Sequence, residues 1–97
     1  MQKSENVYPK TIEEAVDKLL LEMHDRLKND VMHSTEEDLV KNFNLGLGTY
    51  IKNAFGLWND QNPELLRDCI SENIHPDEAS KIILKALWKR LQEKEKR

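Results

Sequence analysis

The sequence predicts an all-α fold, a compact bundle of four to five helices. Three observations carry that reading. Apolar residues recur at three- and four-residue spacing, with no period-two alternation of useful length. Helix-start signals stand in order at Thr11, Ser34, Asn62 and His75. The chain has 97 residues, which makes one domain with one modest core.

Residues 1–10 are expected to form a flexible N-terminal arm, in which Pro9 disfavours helix at Tyr8. A single helical domain is expected over 11–92, followed by a charged C-terminal tail over 93–97. Thr11-Ile12-Glu13-Glu14 reads as a capping box, with Glu14 reaching back to the Thr11 amide. Ile12, Ala15, Val16, Leu19, Leu20, Met23 and Leu27 then predict one amphipathic helix of about four or five turns, fraying or bending near Asn29-Asp30.

Ser34-Thr35-Glu36-Glu37 repeats the capping box, and Glu36, Glu37 and Asp38 suit the positive end of a helix dipole. Leu39, Val40, Phe43, Leu47, Tyr50, Ile51 and Ala54 continue one helical stripe, read as one helix over about 35–54, either continuous or broken near Asn44. Gly56 is expected to close it as a left-handed cap. All three glycines, Gly46, Gly48 and Gly56, lie in Leu45–Trp58, LGLGTYIKNAFGLW. Each helical glycine costs about 0.5–1 kcal/mol relative to alanine, so three together imply tight packing, a local break or close approach by another group.

Asn62-Pro63 starts a third helix, with Leu65, Leu66, Cys69 and Ile70 as its apolar residues and an end near Asn73. His75-Pro76-Asp77-Glu78 starts the last, and Ile74 with Ala79 suggests a small hydrophobic staple. Ala79, Ile82, Ile83, Ala86, Leu87 and Leu91 form its expected buried face, opposite Lys81, Lys85, Lys89 and Lys96. The Leu45–Trp58 segment is expected at the centre, packed by the first and last helices. Leu19, Leu47, Ile51, Ile83 and Leu87 should be the main core residues.

Residues 1–80 carry 8 Lys/Arg against 16 Asp/Glu, a charge of −8, whereas residues 81–97 carry 7 against 2, a charge of +5. An acidic body with a basic last helix bears on the choice of partner. No run approaches the ~20 apolar residues of a membrane span, and the first residues lack the apolar core of a secretory signal. The single Cys69 cannot form an internal disulfide. These features fit a cytoplasmic protein that is not membrane-bound.

Three segments together resemble an uncharacterised bacterial family of domains of unknown function. They are Pro9-Lys10-Thr11-Ile12-Glu13-Glu14-Ala15, Gly46-Leu47-Gly48-Thr49-Tyr50-Ile51-Lys52-Asn53-Ala54-Phe55-Gly56-Leu57-Trp58, and His75-Pro76-Asp77-Glu78-Ala79-Ser80. The likeness covers about residues 8–91. Lys52 stands where the family often has arginine, which loses a bidentate anion contact, and Glu78 where it often has a second aspartate. The resemblance implies a whole-domain family and a bacterial origin, and it implies no activity.

Lys52 and Asn53 lie beside the apolar stripe. They form either a small polar site approached by a partner's backbone, or a polar neighbour to glycines that admit another helix of the same domain. Phe55 and Leu57 suit the core, while Trp58 suits the core or a partner's surface. His75 and Asp77 resemble an acid–base pair, yet no nucleophile with a partner accompanies them and helix capping accounts for both. His24 and His33 share no helical face, and no zinc-type spacing is present, so no metal and no cofactor is expected. Cys69 at apolar spacing reads as a buried thiol. The basic end with Trp88 could meet phosphate and a base, or be a solvated face. The leading expectation is a non-enzymatic protein-interaction module with an unknown protein partner, in which Lys52, Asn53, Trp58, His75 and Asp77 bind. The alternatives are a nucleic-acid accessory protein and a small hydrolase acting through His75 and Asp77.

Overall fold

A computed structural model describes residues 8–58, 61–71 and 73–95. Its helices are α1 (Ile12–Glu22), α2 (Asp25–Met32), α3 (Glu36–Phe43), α4 (Thr49–Ala54), α5 (Pro63–Cys69) and α6 (Pro76–Glu95). A π-helical turn, Asn44–Gly48, joins α3 to α4 without interruption, so the described residues form five helical rods.

The expected first helix divides in two. The Thr11 hydroxyl accepts the Glu14 amide at 3.1 Å, as a cap should. The Glu14 carboxylate accepts from Lys10 N–H at 2.8 Å instead of from Thr11. Asp68, on α5, accepts the Ile12 amide at 2.7 Å, so one helix caps another. The chain leaves helix at Met23, whose ψ is 137°, and His24 caps α2 by accepting Leu27 N–H at Nδ1 over 3.3 Å. Met23 stays buried at the break, and α2 buries Val31. In the second capping signal the cap is Thr35, one residue after Ser34, and its hydroxyl accepts Asp38 N–H at 3.1 Å.

The alternative of a break near Asn44 corresponds to the π-turn. It does not admit a neighbouring helix: a Cβ on Gly46 would meet nothing within 4 Å, and one on Gly48 would meet the Asn44 side chain of the same turn at 3.0 Å. Gly56 has φ +67° and ends α4, with Leu57 N–H donating to the Lys52 carbonyl at 3.0 Å.

Leu19, Ile51, Ile83 and Leu87 are fully buried and Leu47 nearly so, as expected; Leu84, not foreseen, is buried with them. The hub is α6 and not the Leu45–Trp58 segment. It packs on every other helix and on the π-turn, because a 20-residue helix is long enough to touch all of them. That encirclement buries Ser80 and Leu84 off the expected stripe. α5 ends at Cys69, four residues short of the expected end, and Ile70 faces solvent. Residues 8–10, placed in the arm by sequence, are held: Pro9 is buried, and Lys10 pairs with Glu64 at 2.7 Å. Residues 1–7 lie outside the described residues. Helix continues to Glu95, past the boundary expected at 92.

Candidate functional site

The five residues singled out by sequence converge where α4 ends and α6 begins. Lys52, with a side chain 11% exposed, donates from Nζ to the Asp77 carboxylate. The same ammonium lies 5.2 Å from the centroid of the Trp58 ring, a cation–π distance. Trp58 Nε1–H donates to Asn53 Oδ1 at 3.0 Å. His75 Nδ1 accepts Asp77 N–H at 3.0 Å and lies 3.8 Å from an Asp77 carboxylate oxygen. The Lys52 hydrogen bond holds the Asp77 carboxyl below its ordinary pKa, against partial desolvation. The charges of Lys52, His75 and Lys81 add to the lowering.

Chemically this cluster is a fastening. His75 Nδ1 is engaged as the acceptor of the Asp77 amide at the start of α6. Lys52 is clamped between a carboxylate and an indole. Cys69 lies half-buried, its Sγ 3.9 Å from the Ala79 carbonyl, and burial pushes the thiol up to about 11, with the Asp68 charge assisting. Among the described residues no three His, Cys, Asp or Glu side chains gather to hold a metal, and no helix is long and apolar enough to cross a membrane.

The basic end of α6 is also partly committed. Arg90 pairs with Asp17 at 2.8 Å, Lys81 lies 3.6 Å from Glu78, and Trp88 Nε1–H donates to the Ser34 carbonyl at 2.9 Å. Lys85 and Lys89 stay exposed.

A second feature escaped the sequence reading. The α1–α2 break faces the π-turn and the start of α4 across a groove of about 480 Å³. Leu19, Met23, Leu27, Phe43 and Leu47 make it apolar. Glu22, His24, Asn42 and Tyr50 supply its polar groups, and Gly46 completes the wall. Tyr50 donates its hydroxyl to the Glu22 carboxylate, tying α4 to α1. That bond, then desolvation, then the Glu22 charge raise the Tyr50 pKa. The one sequence signal for the groove was Gly46, a helical glycine with no packing duty.

Residues 8–91 match the profile of a family described as a domain of unknown function, DUF6794. No curated protein and no solved structure matches the chain. The family match spans most of the sequence, and the chain belongs to the DUF6794 family.

Proposed function

We propose that this domain is a non-enzymatic protein-interaction module, and that it takes an apolar side chain of its partner into the groove between the α1–α2 break and the π-turn. The groove itself carries this reading. Its volume of about 480 Å³ lies within the roughly 300–1,000 Å³ of ordinary binding sites, and an apolar lining with a few polar groups is the usual make-up. One apolar face of a short helix, inserted into such a groove, is a common recognition mode.

The Lys52, Asn53, Trp58, His75 and Asp77 cluster is the second contact surface under this reading. Three bonds within it tie Lys52 to Asp77, Trp58 to Asn53 and Asp77 to His75, which also fits a fastening between α4 and α6. Binding of nucleic acid along α6 has weaker support, because Trp88 and Arg90 are already engaged.

Selection of a displayed random-peptide library on the purified domain tests the proposal. Selected peptides should be rich in Leu, Phe or Trp, and amide NMR shifts on adding one should centre on Leu27, Leu47 and Tyr50. Shifts centred on Trp58 and His75 would move the contact surface to the cluster. Shifts along Lys85 and Lys89 would favour the basic face.

A further inference from the structure

We infer that the segment received by the groove carries a lysine or arginine next to its apolar anchor, and that Gly46 serves to keep the groove open for it. This rests on the groove being the docking surface.

Gly46 comes first. Glycine is required where φ is positive or where another group crowds the Cα. Among the described glycines, only Gly56 has positive φ. A Cβ on Gly46 would meet nothing within 4 Å. Neither backbone nor packing therefore calls for glycine there, and an alanine would favour the helical conformation. Gly46 does line the groove. The space left by its missing side chain is space for an occupant.

Charge gives the occupant's chemistry. The groove lining contains the Glu22 carboxylate and no lysine or arginine. Tyr50 uses one Glu22 oxygen, and an ionised carboxylate offers about four acceptor positions, so Glu22 can still receive a cation. His24 cannot supply a proton from Nδ1, which is accepting the α2 cap. The lining thus holds one carboxylate and no Lys or Arg side chain. Such a surface attracts a basic segment and repels an acidic one.

The test uses the displayed random-peptide library, followed by titration of the best selected peptide. It should pair Leu, Phe or Trp with a nearby Lys or Arg. Gly46→Phe, with Gly46→Leu as the smaller replacement, should abolish binding, while a melt at or above that of the wild type shows each variant folded. Glu22→Gln keeps an acceptor for Tyr50 and removes the charge. It should weaken binding about three- to tenfold and flatten its salt dependence. Apolar peptides without a basic preference, still blocked at Gly46, would overturn the cationic partner and leave the groove reading standing. Peptides that bind folded Gly46→Phe as well as wild type, or no selected peptide at all, would overturn both.

Discussion

The Asn62 side-chain amide donates to the Phe55 carbonyl at 2.9 Å and to the Pro9 carbonyl at 2.8 Å. Its oxygen accepts Leu65 N–H at 3.4 Å, so one buried asparagine joins the end of α4, the start of α5 and the entering chain. Capping alone would be served as well by aspartate, but aspartate has no hydrogen to give the two carbonyls. Asn62→Asp and Asn62→Ala should each destabilise the domain by about 2–4 kcal/mol, since buried unsatisfied groups cost roughly 1–3 kcal/mol each. Urea melts of the two variants check this. An aspartate variant as stable as wild type would show the carbonyl bonds to be dispensable.

Gly56 is doubly constrained. Its φ of +67° is unfavourable for a residue with a Cβ, and that Cβ would lie 2.5 Å from the Tyr8 ring. Gly56→Ala should cost about 1–2 kcal/mol for the backbone alone, plus the displacement of Tyr8. Adding Tyr8→Ala should recover only the second part. A double-mutant cycle by thermal denaturation separates the two, and a coupling of zero would refute the contact.

Cys69 should be a slow thiol. Its pKa of about 11, against an ordinary 9.0, lowers the thiolate fraction at pH 8 about 100-fold. Iodoacetamide should therefore alkylate the native domain at least about 100-fold more slowly than the urea-unfolded chain. Equal rates would mean that the thiol is neither buried nor desolvated in solution.

The Lys52–Asp77 pair should appear in the pH dependence of stability. Because the folded Asp77 pKa is lowered, chiefly by the Lys52 hydrogen bond, its contribution is present above the unfolded carboxylate value of about 4 and is lost as pH falls below it. Asp77→Asn should melt below wild type at pH 7, and the two curves should draw together as pH falls below about 4. A gap independent of pH would assign the loss to capping geometry and not to charge.

Much of the fold was legible because local rules act within a few residues. Thr11 and Asn62 capped where their hydroxyl or amide could reach the next turn, Pro63 and Pro76 opened helices, and Gly56 closed one. The break at Met23 was not legible, because the apolar stripe from Ile12 to Leu27 is continuous with helical spacing. There the chain turns extended at Met23, His24 caps α2, and Val31 is buried in a helix that packs on the distant α6. The polar cluster was legible as separate residues, while the meeting of Lys52 with Asp77 was not. The groove was not legible beyond the unexplained glycine at 46, since it is a space between elements.

The sequence by itself determined that the fold is all-α, which residues start most of its helices, and that Leu19, Ile51, Ile83 and Leu87 are buried. Those properties follow from periodicity and from hydrogen bonds that close within a turn. Tertiary structure decided that α6 is the hub, that Asn62 serves three segments, that Lys52 is clamped between Asp77 and Trp58, and that a groove opens beside Gly46. Each depends on groups brought together across tens of residues, where the packing of whole helices sets the distance.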